Sequence, residues 1–345
     1  MTLHSEIFEQ PQRLASLLDR QQQTVRDIAQ AIQFRNVQYV FLAARGTSDN
    51  AGRYANYLWG AHNGLPLALA APSLFTYYQS PPKLNNALVV GISQSGKSPD
   101  IVSVLEEGRK QNCLTLAITN EPDSDLANAA DFVMDIQAGE EKAVAATKTY
   151  STELMAIAMI SAALSDSDAR WKELASVSKW AEQALVLDAQ IAQMTQRYRY
   201  MSQCVVLGRG FNYATAFEWA LKVKELTYLI AEPYSSADFQ HGPLAMVESG
   251  FPVLAIAPHG KVHDSMVDML TRLRKQRDAE LVLISDDADA LALAQSPIHL
   301  PPQIPEWLTP LVGIIPAQLF ACHLTQVKGY DTEAPRNIQK VTETH

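Results

Sequence analysis

The chain is poor in cysteine, with three in 345 residues. Cys113, Cys204 and Cys322 are odd in number and far apart, which argues against a disulfide framework. Two of them lie in apolar runs, so they read as buried thiols of a reducing compartment. Positive charge is also scarce: 28 Lys and Arg face 37 Asp and Glu, a formal net charge of −9. A nucleic-acid footprint needs clustered basic side chains, so no nucleic-acid partner is expected and a small molecule is expected instead. No run approaches the ~18 continuous apolar residues of a membrane span, and the N-terminal "MTLHSEIFEQPQRLASLL" has acids and no long apolar core. A cytoplasmic protein without membrane contact is expected. No spacing of His, Cys, Asp or Glu reads as a metal site, and no cofactor is expected.

What the chain does have is 47% apolar residues and a repeat. "YVFLAARGTSDN" from Tyr39 is echoed by "CVVLGRGFNYAT" from Cys204, and "LVVGISQSGKSPD" by "PVLAIAPHGKVHD". Arg45 and Arg209, Ile92 and Ile256, Gly96 and Gly260, Lys97 and Lys261 all differ by one offset (209 − 45 = 256 − 92 = 164). Short apolar runs alternate with longer amphipathic ones, the pattern of parallel sheets covered by helices on both faces. Two tandem doubly wound α/β domains are therefore expected, at residues 35–165 and 200–328. Residues 1–34 should be a helical segment starting near Ser5 and restarting after Pro11, residues 166–199 a helical connector, and residues 329–345 an aperiodic tail.

In the first copy, "GISQSGKSPD" breaks a buried strand into small polar residues just before a helix. The first N–H groups of a helix lack intrahelical partners and favour negative charge. Ser93, Gln94, Ser95 and Ser98 add donors, Gly96 lets backbone approach a ligand, and the matching turn "RGTSDN" offers Thr47 and Ser48. Ordinary turn and cap residues would look similar. The second copy serves as an internal control: there the four positions are Ala257, Pro258, His259 and Val262, so the turn itself should not need hydroxyls. No G-x-x-x-x-G-K-[ST] pattern is present, which favours a sugar phosphate over a nucleotide.

The segments "ISQSGKSPD", "AVAATKTYSTEL", "EWALKVKELTYLIAEPYSSADFQHGPLAMV" and "APRNIQKVTET" resemble, in order, the signatures of the isomerase half of glucosamine-6-phosphate synthase, a pair of sugar isomerase (SIS) domains. No glutaminase domain precedes them here, so the resemblance implies the releasing direction, glucosamine 6-phosphate to fructose 6-phosphate and ammonia, as in the second class of glucosamine-6-phosphate deaminases. It also implies roles. Glu225 would carry the proton between C2 and C1, with Lys222 three residues earlier on the same helical face balancing charge. His241, presented on a loop by Gly242-Pro243, would open the sugar ring in a neighbouring subunit's site, which requires at least a homodimer. Lys340 matches the lysine that forms a Schiff base with the ketose. Val144, Ala146 and Thr147 would line the pocket. Ala146 stands where the synthase pattern has a serine and Lys97 where it has an acid, so galactosamine 6-phosphate remains an alternative substrate. A deglycase of a phosphorylated sugar–amino acid adduct and a non-catalytic sugar-phosphate sensor are the other readings the same residues allow.

Overall fold

The computed structural model describes residues 2–340. Ten strands fall into two sheets of five. The first contains β1 (Tyr39–Ala43), β2 (Leu67–Leu69), β3 (Ala87–Ile92), β4 (Leu114–Thr119) and β5 (Phe132–Asp135). The second contains β6 (Gln203–Gly208), β7 (Ile230–Ser235), β8 (Pro252–Ile256), β9 (Glu280–Ser285) and β10 (Ser296–His299). The strand orders are β2-β1-β3-β4-β5 and β7-β6-β8-β9-β10, every pairing parallel. Even the register repeats. Phe41 pairs with Val89 in one sheet and Val205 with Val253 in the other, again the shared offset (205 − 41 = 253 − 89 = 164).

Both sheets are parallel because their connections are helical crossovers, and covered faces demand strands apolar on both sides. Accordingly "ALVVGI" of β3 and "LTLAIT" of β4 are buried at every position. In the first sheet Phe41, Ala43, Val89 and Ala117 pack with Ile101, Val104 and Leu105 of the helix Pro99–Lys110. In the second, Val205, Leu207, Val253, Ala255 and Leu281 pack with Met266, Met269, Leu270 and Leu273, a stripe at helical spacing on the helix His263–Arg277.

Two compact units result, and they interleave along the chain. One comprises Gln12–Glu141 and Lys148–Ser176 with the tail from Gln339; the other comprises Lys142–Thr147 and Val177–Ile338 with the N-terminal segment through Pro11. The short segment Lys142–Thr147 thus lies inside the first copy by sequence and packs with the second unit. Its anchors are visible: the buried Glu6 carboxylate accepts from the backbone N–H of Lys142 at 2.6 Å and of Ala143 at 3.2 Å, and Gln318 donates to the Thr147 carbonyl at 3.3 Å.

The N-terminal segment holds three helices, Leu3–Phe8, Gln10–Arg20 and Gln22–Phe34. The first starts before Ser5 because Thr2 caps it reciprocally with Ser5. The break falls before Pro11 rather than at it, since a proline in the first turn of a helix removes an N–H that has no partner there. Residues 166–199 form the helices Asp168–Ala175, Val177–Leu185 and Asp188–Thr195 and a single 3-10 turn. Residues 329–340 carry neither helix nor strand, and 341–345, which include the end of the "APRNIQKVTET" segment, lie outside the described residues.

One expectation needs correcting. The stretch Glu306–Val327 is long and apolar enough, by length and composition, to cross a bilayer, yet its apolar window is wholly buried inside the second unit. Its helix Thr309–Val327 packs against the helices Tyr213–Thr227, Val177–Leu185 and Asp188–Thr195, so its all-round hydrophobicity fits a central core helix. The three cysteines are free and buried, and burial pushes the Cys204 and Cys322 thiols up to about 12.

Candidate functional site

In each sheet the strand order reverses between two neighbours, β1 and β3 in the first and β6 and β8 in the second. Such a switch point leaves a crevice at the carboxyl ends of those strands, the usual ligand edge of an open α/β sheet. Thr47 and Ser48 follow β1, and Ser93 to Ser98 follow β3, so the two hydroxyl turns flank the first switch point.

The turn after β3 is built partly from its own hydroxyls. Ser93 Oγ accepts from the Gly96 N–H at 3.1 Å, and Ser95 Oγ from the Lys97 N–H at 3.4 Å. The expectation that the turn has no use for them is therefore incorrect for the first copy. In the second copy the equivalent turn is held otherwise: Asp286 accepts from the His259 N–H at 2.7 Å and Ser285 donates to the Ala257 carbonyl at 2.6 Å. Accepting an N–H leaves each serine its O–H proton, so Ser93 and Ser95 remain donors to a further group.

Gly96 has a packing role as well. Its φ is +62°, in the left-handed region, and a Cβ there would lie 2.0 Å from Ser124 Oγ. The missing Cβ thus makes room for the Ser124 cap of the next helix in the same unit. Ser98 is the N-cap residue of Pro99–Lys110 but makes no side-chain capping bond. Asp100 lies in that helix's first turn, which would repel an anion, but its buried carboxylate is bound by Arg45 through Nε at 2.9 Å and a terminal nitrogen at 2.8 Å. Arg209 repeats the gesture in the second unit by donating to Ser265 at 2.6 Å. Ser48, expected to face a ligand, is buried and donates to Glu153 at 2.7 Å. Thr47, Gln94, Ser95 and Ser98 are half-buried.

The second unit supplies the ionisable cluster. The helix Tyr213–Thr227 carries Glu218, Lys222 and Glu225 on one face, as i, i+4 and i+7 positions should be. Lys222 Nζ lies 2.7 Å from Glu225 Oε2 and 3.3 Å from Glu218 Oε1. The Lys222 and Glu218 side chains are 1% and 0% exposed, whereas Glu225 is 25% exposed. Burial alone would weaken the ammonium, but Glu218 and Glu225 outweigh it and hold the Lys222 pKa well above its ordinary value. One buried cation therefore fixes the one of its two carboxylate partners that reaches the surface. Glu218 falls in the same helically spaced stretch but was given no role from the sequence, although its four-residue spacing from Lys222 was the available signal.

His241 is exposed in the turn that follows the helix Ser236–Phe239, and Gly242 beside it has a φ of +132°. Among the described residues no side chain bonds its ring. In the segment Lys142–Thr147, Val144 and Ala146 are half-buried and Thr147 is buried. Lys340 is not a loose terminal charge: its ammonium pairs with the Glu141 carboxylate, which also accepts from Thr149 N at 3.1 Å and Thr149 Oγ1 at 2.8 Å. Lys148, wholly buried, donates to the Glu140 carbonyl at 2.7 Å. Glu141, Lys148 and Glu153 were not read as significant. For Lys148 and Glu153 the signal was charge inside the otherwise apolar run "AVAATKTYSTELMAIAMISAAL"; Glu141 lies two residues before it.

The sequence profile of the SIS domain matches residues 33–163 and again 200–328. The chain belongs to the SIS domain family. Among relatives of this SIS pair, the glutamine–fructose-6-phosphate aminotransferase (isomerizing) of Bartonella henselae is 32% identical over 98% of the chain. The chain spans only 58% of that relative's length. The solved C-terminal domain of glucosamine-fructose-6-phosphate aminotransferase from Francisella tularensis superposes with a TM-score of 0.86 at 28% identity, covering 96% of this chain and 98% of that one. A glucosamine-6-phosphate deaminase from Thermotoga maritima, at 18% identity and a TM-score of 0.79 over the full length of both chains, shares the fold.

Proposed function

We propose that this SIS pair is an aldose–ketose isomerising enzyme of a hexosamine 6-phosphate, acting as a glucosamine-6-phosphate deaminase. The observation that carries the reading is the Glu218–Lys222–Glu225 triplet, in which a buried ammonium presents a single accessible carboxylate. The names of the relatives place fructose 6-phosphate among the substrates of similar chains.

The chemistry follows from the groups. Once the sugar is open, the aldehyde at C1 acidifies the proton on C2, and a carboxylate can take that proton and return it to C1. The product is a C2 imine; water adds to it and ammonia leaves, so glucosamine 6-phosphate and water give fructose 6-phosphate and ammonia. Glu225 is the carbon base in this scheme. The fixed charge of Lys222 balances the enolate-like negative charge that develops on C1 oxygen and neighbouring atoms. His241, exposed and unbonded, is the proton donor and acceptor for ring opening and is contributed to a neighbouring copy's substrate in a homodimer. Ser93, Gln94, Ser95, Ser98 and Thr47 serve the phosphate, with the O–H groups of Ser93 and Ser95 as principal donors, while Ser48 gives its proton to Glu153. Val144, Ala146 and Thr147 serve the sugar. For Lys340, the ion pair with Glu141 favours an electrostatic role over a Schiff base, which requires a neutral amine.

The test is a coupled assay for fructose 6-phosphate and ammonia, run with glucosamine 6-phosphate and with galactosamine 6-phosphate. Wild type should release both products from the glucosamine epimer, and Glu225→Gln should lose turnover by roughly 100-fold or more while still binding sugar phosphate. Equal turnover in wild type and Glu225→Gln would remove Glu225 from the reaction. Faster release from the galactosamine epimer would reassign the substrate.

A further inference from the structure

At the place where the first sheet carries its hydroxyl turn, the second carries a pair of imidazoles. His259 lies in the turn after β8, His263 opens the helix His263–Arg277, and Asp286 and Asp287 follow β9. All four sit at the carboxyl ends of neighbouring strands, the ligand edge of the sheet. The two rings stack with centroids 4.8 Å apart and planes 15° from parallel.

The surroundings of His263 are unusual. Its ring is nearly buried, with Nδ1 3.2 Å from the Pro258 carbonyl oxygen and Nε2 3.1 Å from Asp287 Oδ2. Both neighbours only accept hydrogen bonds, while a neutral imidazole offers one N–H and one lone pair. With the N–H directed at the carbonyl, the Nε2 lone pair and the carboxylate face each other, an arrangement a cation between them would satisfy. Hydrogen bonding of Nδ1–H to a backbone carbonyl is also the usual way a metal-ligating histidine is oriented. Asp287 is itself fixed, because Oδ2 accepts from the Ala290 N–H at 3.1 Å.

We propose that His259, His263 and Asp287 form a site for a divalent transition-metal ion of the zinc or cobalt class. One ligand atom from each lies within 4.8 Å of the others, and ligation at about 2.0–2.2 Å needs only a small inward movement. His259 is 61% exposed; to make it, the ring either gives up its Nδ1 contact with Asp286 Oδ1, at 3.2 Å, or turns Nε2 inward. Two imidazole nitrogens and one carboxylate favour such ions over magnesium or calcium, which prefer all-oxygen sets. In sequence the pair is visible as two histidines four residues apart in "HGKVHD", contrary to the expectation that no such spacing reads as a metal site. A second trio, His4, Asp188 and His323, is less suited: Asp188 Oδ1 lies 2.9 Å and 2.6 Å from the two Nε2 atoms, so both rings can donate to it without an ion.

The experiment uses the full chain, free of any added histidine tag and stripped of metal with a chelator. Cobalt(II) is titrated in and followed by its visible d–d bands, and zinc(II) binding is measured by calorimetry. One equivalent per chain is expected, weakened more than about tenfold by His263→Ala and by His259→Ala and unchanged by His4→Ala. His259→Ala, on the surface, keeps the test valid if the buried variant does not fold. Absence of cobalt bands in the wild type, unchanged binding in His259→Ala, or loss of binding in His4→Ala would each overturn the proposal.

Discussion

At the scale of single residues, the ionisable groups that matter are those held in place by buried partners of opposite sign. Lys222 is the clearest. Replacing it with methionine keeps its approximate volume but leaves Glu218 buried without its cation and Glu225 without its anchor. Removing one partner of a buried ion pair costs about 3–5 kcal/mol, so Lys222→Met should lower the denaturation midpoint markedly as well as abolishing turnover. Paired urea melts and assays at a temperature where the variant is still folded separate the two effects. A midpoint within error of wild type would mean that the triplet contributes no such stability. Glu141 and Lys340 follow the same logic, and explain why a lysine five residues from the last position is held against the protein.

At the scale of elements, the turns after β3 and β8 show one backbone design used in two ways. In the first unit serine hydroxyls brace the turn and retain protons to donate; in the second, Asp286 and Ser285 brace it. The double substitution Ser93→Ala, Ser95→Ala should therefore raise KM for the sugar phosphate, at about 1–3 kcal/mol per charge-assisted hydrogen bond lost, with a smaller loss of stability from the two N–H groups left without acceptors. Steady-state kinetics with a thermal melt distinguishes the two contributions. An unchanged KM would mean that the hydroxyls serve only the turn. The helix Thr309–Val327 illustrates a different limit of local reading, since its composition suits a bilayer and its environment is the second unit's core.

At the scale of the whole molecule, the proposed sharing of His241 between copies makes a quantitative prediction. Glu225→Gln and His241→Ala should each be nearly inactive alone. Mixed and exchanged, they should form heterodimers in which one of two sites has both groups intact, restoring roughly a quarter of wild-type activity at equal proportions. Light scattering would establish the dimer and exchange, and the coupled assay the recovery. No recovery in a mixture shown to contain heterodimers would place His241 in its own chain's site.

The division between what could be read from the chain and what could not is physical. The 164-residue offset and the nearly continuous apolar strands determined two parallel α/β sheets, because periodicity and apolar runs are local, additive signals. The Glu–Lys spacing on Tyr213–Thr227 was legible for the same reason, since helix geometry alone brings residues three and four apart together. Tertiary structure decided the rest. That Gly96 makes room for Ser124, that Ser48 is committed to Glu153, that Lys142–Thr147 is held by Glu6 and Gln318, and that Lys340 rests on Glu141 are all contacts between residues distant in sequence. Such contacts depend on where the chain returns in space, and neither composition nor periodicity carries that information.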